Sequence, residues 1–192
     1  MDHLVLYRPG SGVIFILQNN GGVFQPVLQS FNGIGGYDLL SPDDHVFALD
    51  YNSSGKTDHL ALYRAGQGVF FILQNVNGVF IPVLQTYNGI GGYNLMSADD
   101  LVFAYDFDRS GYNDHLVLYR HGTGTVWILR KNSNGDYNAV YHQGDPGNGI
   151  GQYDLKDNRD MLFAFDYDRS GRADHLCCYR PGEGTFWIIK RK

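Results

Sequence analysis

An all-β fold, arranged as a β-propeller, is predicted by three observations: an internal repeat, a regular strand-and-turn rhythm, and a composition rich in aromatics and glycine. The tripeptide Asp-His-Leu opens four segments, at Asp2, Asp58, Asp114 and Asp174. Aligning residues 2–57 with 58–113 gives 37 identities in 56 positions without a gap. Near-identity at a fixed period marks stacked like units. The chain is therefore read as one repeat domain, 1–192, with three full repeats (2–57, 58–113, 114–173) and a half-repeat, 174–192. Aromatics make up 15%, glycines number 25, and charged residues reach only 18%. That balance favours strands joined by tight turns and excludes a disordered chain.

Each unit reads as four short strands. In the second copy, strand a is 59–64 and strand b is 69–73, joined by a glycine-containing turn. Strand b is apolar without alternation, which implies burial on both faces by stacked sheets. Strand c is 79–85, and its Pro82 suits an outer edge, where a missing N–H is harmless. A long connection through 88–94 leads to strand d at 101–106. Four strands in a unit of about 56 residues is the size of a propeller blade. A β-trefoil is the alternative, but its units are usually shorter and it gives no reason for a fourth half-repeat. The strand order along the chain becomes abc, dabc, dabc, dab. Two blades are then incomplete and their edges open, so a homo-oligomer completing the ring is expected.

Net charge is −5, which argues against a nucleic-acid partner. The apolar runs are strand-length, too short to span a bilayer as helices. Met1 to Leu4 carry no basic segment followed by an apolar run, so a cytoplasmic location, or export without a standard leader, is expected. Cys177 and Cys178 are adjacent and would point to opposite faces of a strand, so no disulfide joins them.

Three acidic loops share one pattern. They contain Asp50, Asn52, Ser54, Lys56 and Asp58; Asp106, Asp108, Ser110, Tyr112 and Asp114; and Asp166, Asp168, Ser170, Arg172 and Asp174. Oxygen ligands at positions 1, 3, 5 and 9, with a backbone carbonyl at 7 and a glycine at 6, begin a calcium-loop layout. The competing reading is an Asx-type turn that closes the d–a hairpin without metal. Ca2+ is therefore a candidate cofactor, best supported in the second and third loops by their carboxylates; no organic cofactor is expected.

Strand a carries His, Tyr and Arg in every copy: His3, Tyr7, Arg8; His59, Tyr63, Arg64; His115, Tyr119, Arg120; His175, Tyr179, Arg180. An Asp–His pair invites a catalytic reading, but no serine or cysteine nucleophile motif accompanies it, and chemistry rarely recurs in every blade. Packing between blades is the expectation for these residues, and for Trp127 and Trp187. The connection carries the main binding candidates: Asn32, Tyr37, Asp38; Asn88, Tyr93, Asn94; Asn148, Tyr153, Asp154. A tyrosine ring beside an amide or carboxylate offers a sugar both a stacking face and hydrogen bonds.

The runs Val46-Phe47-Ala48-Leu49-Asp50, 68–75, Asn77-Gly78-Val79-Phe80 and the connection 87–93 resemble the blade repeat of the Psathyrella velutina lectin family. More loosely they resemble FG-GAP/VCBS-type propeller repeats. The resemblance recurs along the whole chain. It implies a propeller that binds N-acetylglucosamine or sialic-acid-type glycans between blades, with calcium loops in some of them. The expected function is thus a non-catalytic, multivalent carbohydrate-binding lectin whose partners are glycoconjugates. A toxin- or adhesion-associated protein-binding scaffold is the alternative.

Overall fold

In the computed structural model, which describes residues 3–191, the chain is all-β, with four antiparallel sheets arranged as propeller blades. Blade 1 is β1 (His3–Arg8), β2 (Val13–Asn20) and β3 (Val23–Ser30). Blade 2 is β4 (Asp44–Leu49), β5 (His59–Arg64), β6 (Val69–Val76) and β7 (Val79–Thr86). Blade 3 is β8 (Asp100–Tyr105), β9 (His115–Arg120), β10 (Thr125–Lys131) and β11 (Tyr137–His142). Blade 4 is β12 (Met161–Phe165), β13 (His175–Arg180) and β14 (Thr185–Lys190). Each sheet runs in chain order, and β8 touches both β4 and β12, so the d strands line the inside. This is the order dabc read from the repeat, with blade 1 lacking d and blade 4 lacking c. The trefoil is excluded. Among the described residues no helix is long and apolar enough to cross a membrane.

The registers repeat faithfully. His45 pairs with Tyr63, Leu101 with Tyr119 and Met161 with Tyr179. Pro26 and Pro82 sit on the outermost strands of their blades, next to a β-bulge on the same strand. There the lost N–H and the irregular ladder fall in one place.

Three apolar clusters fill the three seams between blades. In the first seam, Ile14 and Ile16 of blade 1 meet Leu60, Leu62, Phe71 and Leu73 of blade 2. Alternation along each strand sends one set of side chains to the preceding seam and the other to the following one. That is why strand b needs no polar face. Cys177 and Cys178 are buried free thiols. Trp127 is partly buried, but Trp187 is 42% exposed, because no outer strand covers β14.

The connection between blades is held by a tight turn. Ile90 and Tyr93 exchange backbone bonds of 2.8 and 2.9 Å around Gly91 and Gly92, both at positive φ. This is the hairpin geometry that glycine supplies at least cost. Gly89 has φ +86, and a Cβ there would meet the Tyr93 carbonyl oxygen at 1.8 Å. Gly78 has φ +90 with nothing nearby. Gly78→Ala is expected to cost about 1–2 kcal/mol, the left-handed penalty alone. Gly89→Ala should cost at least about 2 kcal/mol more, because backbone must move; urea melts of both variants check this ordering.

Candidate functional site

Six of the nine candidate sugar residues, the three tyrosines with Asp38, Asn94 and Asp154, fall into one repeated clamp. The Tyr37 hydroxyl donates to Asp44 at 2.6 Å, and Arg64 grips the same carboxylate through Nε at 2.7 Å and a second nitrogen at 3.1 Å. Tyr93, Asp100 and Arg120 repeat this, as do Tyr153, Asp160 and Arg180. Asp38, Asn94 and Asp154 each take a further bond from the same arginine. The guanidinium also lies 5.3–5.9 Å from the tyrosine ring centroid in each copy. Burial, then the bond to the aspartate, pushes the Tyr37 and Tyr93 phenols well above their usual range. The bond to Asp44 or Asp100 holds Arg64 and Arg120 more firmly charged.

Tyr37, Tyr93 and Tyr153 are therefore plugs: all three are buried, with their hydroxyls spent. They offer no ring to a sugar. Asn32, Asn88 and Asn148 are exposed nearby, and Asn148 receives only a bond from Lys156. The aspartates at the centre of the clamps were absent from the sequence-based candidates. A tyrosine followed seven residues later by aspartate in all three copies was the available signal.

The acidic loops are closed internally. Asp106 accepts from the Ser110 N–H at 2.9 Å and the Gly111 N–H at 2.8 Å. Asp50 does the same with Ser54 and Gly55, and Asp166 with Ser170 and Gly171. Positions 1 and 5 of the calcium layout thus serve each other as an Asx-type turn. The position-7 residues diverge: Tyr112 donates its N–H to Ser110, Arg172 reaches the Arg109 carbonyl, and Lys56 lines a cavity. What does converge is Asp108 with Asp114 and His115, and Asp168 with Asp174 and His175, ligand atoms within 4.8 Å of one another. Burial raises the pKa of Asp114, but the His115 and Ser53 bonds outweigh it and hold the carboxyl below its usual range. In the third group Lys190 lies 2.7 Å from Asp168 and 3.2 Å from Asp174, so cationic charge is already supplied. The first loop has Asn52 at the matching position.

The strand-a histidines also differ between copies. Each lies 2.7 Å from the preceding aspartate, in the pairs Asp58–His59, Asp114–His115 and Asp174–His175. Asp58 is 46% exposed, against 9% for Asp114 and 1% for Asp174. The cause lies in the seams. Tyr51 packs against Tyr137 in the second seam with Lys131 over its ring, and Phe107 holds the corresponding place in the third under Arg191. In the first seam Asn75 stands where Lys131 and Arg191 stand in the other two. A cavity of 820 Å³ lies between blades 1 and 2, lined by His3, Lys56, Asp58, His59, Asn75 and apolar residues such as Phe80. Its size is that of a small-molecule site with a few convergent polar groups. Sequence reasoning set the Asp–His pairs aside because they recur; the departure that singles out one of them lies in the packing.

No family model matches the chain, and no curated protein matches it. Solved structures do. A candidate 6-phosphogluconolactonase from Bacteroides uniformis is 10% identical, with a TM-score of 0.54, over 99% of this chain and 47% of that one. A protein from Lactobacillus plantarum is 12% identical, with a TM-score of 0.51, over 100% of this chain and 48% of that one. A candidate 6-phosphogluconolactonase from Bacteroides fragilis is 10% identical, with a TM-score of 0.47, over 94% and 61%. The chain thus spans about half the length of the first of these propellers.

The expectation of a non-catalytic glycan lectin is corrected on two grounds. The tyrosines that carried sugar stacking are buried plugs, and the similar Bacteroides uniformis propeller is described as a lactonase rather than a lectin. The scaffold alternative, which likewise assumed a surface without chemistry, is set aside with it.

The clamp makes a pH-dependent prediction. Burial raises Asp160, but bonds from Arg180 and Tyr153 outweigh it and hold its carboxyl below the usual range. A depressed carboxyl contributes stability that is full above its unfolded value, near 3.9, and lost as pH falls through its folded value. Tyr153→Phe should cost about 2 kcal/mol at neutral pH. The difference from the parent should shrink below roughly pH 4, as read by chemical denaturation across pH.

Proposed function

We propose that the first seam is the working site of this propeller and that it hydrolyses a small anionic lactone. The observation that carries the reading is one broken symmetry: of the three Asp–His pairs with both residues described, Asp58–His59 is the one that lines the 820 Å³ cavity. Nδ1 of His59 faces Asp58 at 2.7 Å. Asp58 then fixes the tautomer, and Nε2 takes a proton from water as general base. The hydroxide adds to the lactone carbonyl, the ring C–O bond breaks, and the alkoxide takes the proton back from His59 to leave a hydroxy acid. Lys56 supplies positive charge for the oxyanion or for an anionic substituent on the substrate. The similar Bacteroides uniformis propeller, described as a lactonase, supports the substrate class as an analogy of fold.

Lactone opening releases a carboxylic acid, so pH-stat titration with phosphorylated and unphosphorylated sugar lactones measures it directly. His59→Gln is expected to lower kcat by roughly 100-fold or more. Lys56→Ala should act mainly on KM, and His115→Gln, in the sealed copy, should leave kcat within about threefold. Absence of turnover with every lactone, or equal loss from His59→Gln and His115→Gln, would sink this reading.

The second acidic loop supports a separate, structural role for a divalent cation. Its set of two carboxylates and one imidazole is mixed nitrogen and oxygen, which suits zinc or manganese better than the all-oxygen shell of calcium. Both ring nitrogens of His115 and one Asp114 oxygen are buried without an aligned hydrogen bond, which favours a ligand there. Zn2+ should raise the melting temperature more than Ca2+ at equal concentration, and Asp108→Asn should abolish the difference. Equal shifts with both metals in Asp108→Asn and parent would refute it.

A further inference from the structure

The arc of blades ends in two apolar faces that the molecule elsewhere buries. Each internal seam joins the trailing face of one blade to the leading face of the next. The leading face of blade 2 carries Leu60 and Leu62, which are 5% and 0% exposed. Their counterparts on blade 1, Leu4 and Leu6, are 45% and 48% exposed. The trailing face of blade 2 carries Phe70 and Ile72, both fully buried; their counterparts on blade 4, Phe186 and Ile188, are 59% and 37% exposed. Met161 and Phe163 widen that second patch. No apolar cluster joins blade 1 to blade 4 among the described residues, so the arc does not close on itself.

We infer that the trailing face of blade 4 packs on the leading face of blade 1 of a second copy of this chain, and that two copies close a ring by two such seams. The first internal seam is the template. There Ile14 and Ile16 pack on Leu60 and Leu62, and the same positions in the new seam are Phe186 and Ile188 against Leu4 and Leu6. Both faces are therefore drawn from repeats whose mutual fit the chain already demonstrates twice over. Contiguous apolar surface of this kind is costly to leave in water and marks an association site. The number of copies follows from the arc. This chain superposes on 47% and 48% of two longer propellers, so two arcs make up about one such length. A head-to-tail contact between two half-rings closes, whereas one that does not close would grow into a filament. The seam uses Leu4 and Leu6, on the face of β1 opposite the His3 and Val5 that line the first-seam cavity, and the inference does not depend on the proposed activity.

Sedimentation equilibrium of the full chain should give twice 21.6 kDa. Leu6→Arg and Ile188→Glu each place a charge on one face already exposed in the single chain. Each should weaken association roughly tenfold or more, with an unchanged circular dichroism spectrum and melt of the monomer. Mixing the two variants should restore a dimer, because one seam then pairs Arg with Glu and the other is unaltered. A monomeric parent, a mass above two chains, or a dimer indifferent to both substitutions would overturn the inference.

Discussion

The carboxylates of Asp44, Asp100 and Asp160 are the points at which one blade is tied to the connection from the one before. Each is buried, and each would be a heavy cost without its tyrosine hydroxyl and arginine fork. The tyrosine comes from the inter-blade connection, the aspartate from the first residue or flank of strand d, and the arginine from the end of strand a. One charge thus gathers three segments distant in sequence. The tyrosine it holds also closes the glycine-shaped turn, where Ile90 and Tyr93 bond to each other. Blade-to-blade angle, and so the shape of the arc, rests on this clamp.

Repetition of the clamp leaves little freedom for chemistry at the connection. A residue committed to holding blades together cannot also be presented to a ligand. The same logic applies to the acidic loops, where the first aspartate of each is bound to two amides of its own turn. Function in a repeat protein is then sought where the repeat is broken. Here the break lies in the first seam, where Asp58 is 46% exposed and the buried His59 lines a cavity.

The open faces of the arc express the same principle in reverse. Blade 1 and blade 4 are built from residues chosen for burial in a seam, and at the ends of the arc they find none. Their exposure is a property of position in the row and not of residue type: Leu4 and Leu60 are the same amino acid in the same strand register, with opposite fates.

The sequence by itself determined the blade, its four strands, their order and the incompleteness of the first and last sheets. Those features are local, carried by alternation, turn residues and a period that recurs with high identity. It also contained the loops and the His-Tyr-Arg strand, but not their roles. Whether Tyr93 faces a ligand or a buried carboxylate depends on Asp100 and Arg120, and whether Asp58 meets solvent depends on what fills the neighbouring seam. Identical motifs acquire different environments only when blades are set side by side, so packing between units, not the motif, decided which copy is open.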